Sequence, residues 1–100
     1  IMADCDCMES AEEAARLGFV YIGTTMRGYT AATKDMTIPD YDFIAALVKK
    51  FPGVNIIAEG GIWEAGQLEK VWSLGVYAVV IGSAITRPMD ITRHFAKVIK

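Results

Sequence analysis

Short apolar runs alternate along the chain with longer segments in which apolar residues recur three or four positions apart. The short runs are typical of buried strands, and the longer segments have the period of an amphipathic helix. The sequence therefore predicts strands at about residues 1–4, 19–23, 54–59 and 76–81. It predicts helices at about residues 10–17, 40–50, 64–74 and 89–99. Ser10 and Asp40 are the expected N-caps, and Gly18 and Gly75 are the expected helix stops.

The order of these elements predicts an α/β fold. Four successive strand–helix units require right-handed crossovers and a parallel sheet. The central strand holds Ile56, Ile57 and Ala58, an apolar run that predicts burial on both faces, and the run at residues 76–81 predicts a strongly buried strand. Trp72 lies on the apolar side of its helix, so we expect it in the core or at an interface.

Two segments of the chain resemble each other. Residues 16–23 and 73–82 both read as a helix end, a Leu-Gly stop, a strand and a glycine. Such repetition is typical of a (β/α)8 barrel, of which four units are one half. Half a barrel leaves open sheet edges, and the chain starts with Ile1 rather than Met. We therefore expect residues 1–100 to be half of a single barrel domain whose N-terminal part is missing, or two such halves to pair.

The composition excludes several classes of function. Hydrophobic residues make up 53% and charged residues 22% of 100 residues, and the net charge of -2 gives no electrostatic basis for binding nucleic acid. No apolar run approaches the roughly 20 residues that cross a bilayer, and no signal peptide is evident. Cys5 and Cys7 are the only cysteines, which is too few ligands for a structural zinc site and fits free thiols in a reducing cytoplasm. We expect no metal and no cofactor.

Acidic residues stand at the ends of two predicted strands. Glu59 ends the central strand and is followed by Gly60 and Gly61, and Asp4 ends the first strand. The carboxyl ends of parallel strands are where α/β enzymes place their chemistry, so Glu59 is a candidate acid or base. The alternative is a carboxylate that caps the next helix or pairs with a lysine.

Glycine-bearing loops follow the last two predicted strands. Gly60-Gly61 and Gly82-Ser83 can turn backbone N–H groups toward an anion, and Arg87 adds a forked cationic donor. The loops after the last two strands of a barrel often bind phosphate. The alternative is ordinary turns and a solvated arginine. Residues 24–39 form a long irregular segment, which is either an active-site loop or a surface connection.

Five runs of the sequence together resemble the N-acetylmannosamine-6-phosphate 2-epimerase family. They are Met2-Ala3-Asp4, Ile22-Gly23-Thr24-Thr25, Gly28-Tyr29-Thr30, Ile57-Ala58-Glu59-Gly60 and Ala84-Ile85-Thr86-Arg87-Pro88. The resemblance extends over nearly the whole chain and corresponds to the C-terminal half of the family's (β/α)8 barrel. It implies a cytoplasmic isomerase of amino-sugar and sialic acid catabolism, which interconverts N-acetylmannosamine 6-phosphate and N-acetylglucosamine 6-phosphate by moving the C2 proton.

The resemblance also implies roles for single residues. Glu59 would be one proton-transfer residue, and a lysine outside this chain would be the other. Asp4 would contact sugar hydroxyls and Arg87 the substrate. Thr24 and Thr25 are weaker candidates for sugar contacts, at a strand end.

The expected phosphate contacts are our own inference, and they are the backbone amides of Gly60, Gly61, Gly82 and Ser83. One departure from the family is Gly61, where many members carry a basic residue, and its loss would weaken phosphate binding or leave it to Arg87. Two alternatives remain, another isomerase or lyase of sugar phosphates and a half-barrel that binds phosphorylated ligands without catalysis. We expect a homo-oligomer, with a dimer plausible, because apolar helix faces need cover.

Overall fold

A computed structural model describes residues 2–28 and 38–99 of the chain. Its strands are β1 (Met2–Asp4), β2 (Tyr21–Gly23), β3 (Asn55–Glu59) and β4 (Ala78–Val80). Its helices are α1 (Met8–Arg16), α2 (Tyr41–Lys50), α3 (Ala65–Trp72), α4 (Ser83–Thr86) and α5 (Pro88–Ala96). Most of the long irregular segment, including Tyr29 and Thr30, lies outside the described residues.

The strands form one parallel sheet in the order β1-β2-β3-β4. The predicted alternation of strands and helices is therefore confirmed, and each pair of neighbouring strands is joined by a crossover. In register, Asp4 lies opposite Gly23, and Gly23 lies opposite Ile57. Glu59 lies opposite Val80, one layer further toward the carboxyl end of the sheet.

The predicted cap of α2 is confirmed, and the predicted cap of α1 is wrong. Asp40 accepts a hydrogen bond from the N–H of Phe43 at 3.1 Å and so caps α2. Helix α1 begins at Met8 with Cys7 as its N-cap. Ser10 is the third helical residue, and its hydroxyl oxygen accepts a hydrogen bond from the N–H of Cys7 at 3.4 Å, while the Cys7 side chain accepts one from the N–H of Ser10. The capping pair is thus Cys7 with Ser10, one turn earlier than predicted.

The core lies between the sheet and the first three helices. Ile22, Ile56 and Ala58 are buried on the strands, and they pack in one cluster with Leu47 of α2 and Val71 of α3. Burial by both helices and sheet neighbours is what stabilises these short strands, because each buried aliphatic side chain contributes about 1.5–3 kcal/mol.

The predictions that β3 is buried on both faces and that β4 is strongly buried are wrong for the described residues. Burial alternates along β3, and Asn55, Ile57 and Glu59 on its other face are half-buried. Val80 of β4 is exposed, because β4 is the outermost strand of the described sheet. Trp72 is also outside the core, with 59% of its surface exposed.

No helix within residues 2–28 and 38–99 combines the length and the apolar composition that crossing a membrane requires.

Candidate active site

Glu59 opens onto a cavity of about 540 Å3 at the carboxyl ends of the strands. The loops after β2, β3 and β4 line this cavity and bring together Thr25, Gly60, Gly61 and Arg87, together with Gly82 and Ser83. Among its described lining residues, the charged side chains are Glu59, Arg87 and Asp90. Asp90 lies 3.6 Å from the guanidinium of Arg87 and pairs with it. Glu59 is therefore the carboxylate of the lining that has no basic partner among the lining residues.

Two adjacent threonines hold Glu59 from the end of β2. Thr24 is buried, and its hydroxyl accepts a hydrogen bond from the N–H of Glu59 at 3.0 Å and donates one to the carbonyl oxygen of Glu59 at 3.1 Å. Thr25 donates its hydroxyl proton to the carboxylate oxygen Oε2 of Glu59 at 2.5 Å. One threonine thus fixes the backbone of Glu59, and the next one orients its carboxylate toward the cavity.

The sugar contacts predicted for Thr24 and Thr25 stay predictions, and the two residues differ in how accessible they are to a ligand. Thr25 lines the cavity beside Glu59, so a bound ligand can reach its hydroxyl. Thr24 is 2% exposed and lies behind Glu59 with its hydroxyl hydrogen-bonded in both directions. The structure therefore gives Thr24 a supporting function that the sequence did not reveal.

Gly60 and Gly61 adopt backbone conformations that favour glycine, with φ of +104° and +76°. A Cβ atom on Gly61 would lie 2.6 Å from the carbonyl carbon of Ile38 and 2.8 Å from the nitrogen of Pro39. The backbone of Ile38 and Pro39 therefore occupies the space that a side chain at position 61 would need. A cation at the cavity therefore has to come from elsewhere, and Arg87 lies on the cavity wall.

The loop after β4 leads into α4 through Gly82. Ser83 is the first residue of this short helix, whose first N–H groups have no partner within the helix. Arg87 ends the same segment with its side chain 69% exposed. The two predicted phosphate loops therefore line the same cavity.

Asp4 is not among the residues that line this cavity. It ends β1 at the opposite edge of the described sheet, two strands away from Glu59, and it is exposed. Its carboxylate lies over Gly23, where an added Cβ would come within 3.3 Å of Oδ1. The side chains of Met2 and Asp4 therefore occupy the space over Gly23.

Arg27 is a residue that the sequence analysis missed. Its side chain is 15% exposed, and the guanidinium donates to the backbone carbonyl oxygen of Asp6 at 2.7 Å and to the carboxylate of Asp40 at 3.0 Å. It also lies 4.3 Å from the centre of the Phe43 ring. An arginine inside an irregular segment gives no periodic signal, so its burial could not be read from the sequence.

Trp63 closes one side of the cavity. Its ring stacks on the ring of His94 in α5, with 4.8 Å between the ring centres. This contact attaches α5 to the loop after β3.

Elsewhere, burial raises the pKa of the Cys5 thiol, which is consistent with an unreactive core cysteine. Residues 2–28 and 38–99 contain no cluster of three or more side chains suited to hold a metal ion.

Comparison with known proteins adds independent findings. Residues 1–100 match the profile of the NanE family, described as "Putative N-acetylmannosamine-6-phosphate epimerase". A relative from Malacoplasma penetrans, named "Putative N-acetylmannosamine-6-phosphate 2-epimerase", is 48% identical over 99 residues, which are 97% of this chain and 43% of the relative. A relative of the same name from Pediococcus pentosaceus is 50% identical over 101 residues, covering 100% of this chain and 44% of its own length.

The fold has a solved counterpart. The structure of the N-acetylmannosamine-6-phosphate 2-epimerase from Clostridium perfringens superposes with a TM-score of 0.91 at 39% identity, over 98% of this chain and 42% of that chain. This superposition confirms the expected fold class, in which four βα units make up one half of a (β/α)8 barrel. The chain spans less than half the length of the relatives that it matches.

Proposed function

Because this chain belongs to the NanE family of N-acetylmannosamine-6-phosphate epimerases, we propose that it supplies half of the active site of such an epimerase. The reaction inverts C2 of N-acetylmannosamine 6-phosphate to give N-acetylglucosamine 6-phosphate, in the breakdown of amino sugars and sialic acid. The observation that carries the proposal is the carboxylate of Glu59, which Thr25 holds by a 2.5 Å hydrogen bond on the wall of the cavity.

The chemistry needs proton transfer on both faces of C2. In the open-chain sugar, C2 lies next to the aldehyde, so loss of its proton gives an enolate, and return of a proton to the other face inverts the centre. A positioned acid or base contributes about 10²–10⁴-fold to such a step. We assign one proton transfer to Glu59. We assign the other to a lysine outside this chain, as the family resemblance implies.

The substrate phosphate would bind between the two glycine-bearing loops. Support comes from their position on the same cavity as Glu59, where Gly60, Gly61, Gly82 and Ser83 present backbone amides and Arg87 adds a positive charge. Asp4, at the end of β1, would contact the sugar hydroxyls, as the family resemblance implies. No metal ion or cofactor takes part in this proposal.

We further propose a cytoplasmic protein that works as a homo-oligomer, with a dimer as the simplest form. The free thiols Cys5 and Cys7 support the reducing location. Exposed apolar side chains on the helices support assembly, among them Trp72 and Phe95, at 59% and 68% exposure. Sedimentation of the assembled protein tests this, and a monomer at micromolar concentration would contradict it.

The experiment uses a chimera in which this chain replaces the matching 101-residue segment of the relative from Pediococcus pentosaceus. We expect the chimera to convert N-acetylmannosamine 6-phosphate into N-acetylglucosamine 6-phosphate, as followed by NMR. Glu59→Gln should lower kcat by about 10²–10⁴-fold, since the shape is kept and the base is lost. Glu69→Gln, on the exposed side of α3, is the matched control. Unchanged turnover in Glu59→Gln would contradict the assigned role.

A module that binds phosphorylated ligands without catalysis is the second candidate. The observation in its favour is that the described cavity lining holds a single carboxylate free of an arginine partner. The chimera distinguishes the two candidates, because a binding module would retain affinity for the sugar phosphate while the chimera shows no turnover.

A further inference from the structure

Arg27 joins three parts of the carboxyl-end face that are distant in sequence. Its Nη1 donates to the backbone of Asp6 in the loop after β1, and its Nε and Nη2 donate to Oδ2 of Asp40, which precedes α2. The other carboxylate oxygen of Asp40 caps α2 through the N–H of Phe43. The ion pair is largely buried, with side-chain exposures of 15% for Arg27 and 22% for Asp40.

The same turn carries the threonines that hold Glu59. The N–H of Arg27 donates to the carbonyl oxygen of Thr24 at 3.0 Å, so residues 24–27 close as one turn. On one side of this turn, Thr24 and Thr25 contact the backbone and the carboxylate of Glu59. On the other side, the guanidinium of Arg27 is attached to the loop after β1 and to the start of α2. The turn is thus fixed from both sides.

We propose that Arg27 is a positioning residue for the carboxylate of Glu59 and acts through Thr25. An ion pair that is removed from water contributes little net stability. The forked guanidinium of an arginine, however, donates its hydrogen bonds in fixed directions. The forked contact fixes the turn, and the turn fixes the Thr25 hydroxyl at 2.5 Å from Oε2 of Glu59. The inference rests on the proposed function for its kinetic part and on geometry alone for its structural part.

The structural part is tested by NMR of the chimera defined above, with 13C labels in the glutamate carboxyls and the threonine methyls. Arg27→Met should shift the Glu59 carboxyl and Thr25 methyl signals, although neither group touches the guanidinium in the contacts described. Arg16→Met is the matched control, because Arg16 pairs with Glu13 on the surface of α1. Unshifted Glu59 and Thr25 signals in a folded Arg27→Met chain would overturn the proposal.

A second variant separates positioning from general loss of the fold. Arg27→Lys keeps the positive charge near Asp40 but loses the fork, so it should shift the same two signals by a smaller amount. If both substitutions at Arg27 unfold the chain while Arg16→Met does not, the residue holds the whole fold rather than the turn, and the proposal is overturned.

The kinetic part uses the chimera defined above. Arg27→Met should lower kcat about tenfold with less than a twofold change in KM, because a misplaced base slows the chemical step more than it weakens binding. Thr25→Val should have a similar effect, and Thr25→Ser should restore most of the activity because it keeps the hydroxyl. The double variant Arg27→Met/Thr25→Val should be no slower than the slower single variant, since both act through one hydrogen bond.

The outcomes keep the two proposals apart. Multiplied losses in the double variant would show that Arg27 acts by another route and would overturn the inference. A wild-type chimera without epimerase activity would count against the proposed function alone, and the NMR comparison would then decide whether Arg27 positions Glu59.

Discussion

The substitution Thr24→Val tests whether Thr24 supports Glu59 as the structure indicates. The two side chains have nearly the same shape, and Thr24 is 2% exposed, so valine fits the site and loses only the hydroxyl. That hydroxyl serves both the N–H and the carbonyl oxygen of Glu59, at 3.0 and 3.1 Å. The backbone N–H of residue 24 still donates to Ile57, because that 3.1 Å bond does not involve the side chain.

The magnitude follows from the two groups left without a partner. A buried N–H or carbonyl that loses its hydrogen bond costs about 1–3 kcal/mol. Because Glu59 is half-buried, water can reach part of its backbone, so we expect a loss of about 2–4 kcal/mol for the pair rather than the upper sum. Thr24→Ser is the control, because it keeps the hydroxyl and loses one methyl group, at about 1 kcal/mol.

The assay is urea unfolding of the chimera and its two variants at position 24, followed by circular dichroism. The free energy of unfolding should be about 1–3 kcal/mol lower for Thr24→Val than for Thr24→Ser. Equal stability of the two variants would contradict the support assigned to Thr24, because it would mean that Thr24 packs only as an apolar group. A more stable valine variant would refute it more strongly.

Three further predictions concern other parts of the site. Gly61→Ala should lower the free energy of unfolding by about 1–3 kcal/mol in urea, because φ is +76° and the backbone of Ile38 blocks the new Cβ; an unchanged midpoint would contradict this. Arg87→Gln in the chimera should raise KM about tenfold with a smaller effect on kcat. Arg93→Gln, at an exposed position of α5 outside the cavity lining, should change neither, and an unchanged KM in Arg87→Gln would remove Arg87 from the substrate site. Burial raises the pKa of Cys5 above its ordinary value of 9.0, so the unfolded chain loses this proton first. The free energy of unfolding should therefore fall as the pH rises above about 9, and Cys5→Ala should show a smaller fall over the same pH range; an equal fall in both would contradict the assignment.

The fold could be predicted from the sequence where patterns are local. Helix α2 shows this best, because Asp40 caps it as expected and its apolar residues recur at helical spacing. The cap of α1 was misplaced because Ser10 and Glu13 fit a capping box, while the Cys7–Ser10 pair, with a weak sulfur acceptor, gave no comparable signal. Burial on both faces of β3 was inferred from the apolar run alone, and a run cannot show how many layers cover a sheet.

The site was predictable only in part, for a physical reason. Glu59, Gly60 and Gly61 lie at the carboxyl end of a strand, and the cavity lies at the carboxyl ends of the parallel strands. Their place therefore follows from the order of the elements. The support from Thr24, Thr25 and Arg27 depends on contacts with residues 13 to 35 positions away. Such long-range contacts leave no periodic trace in a single sequence.

Exchange of the C2 proton is the most direct test of the central claim, that Glu59 transfers this proton. The chimera would be incubated with N-acetylmannosamine 6-phosphate in deuterated water, and the C2 signal would be followed by NMR. We expect deuterium at C2 in the product, which is N-acetylglucosamine 6-phosphate, and exchange slower by about 10²–10⁴-fold in Glu59→Gln. Epimerisation without deuterium at C2, or exchange at the same rate in Glu59→Gln, would contradict it.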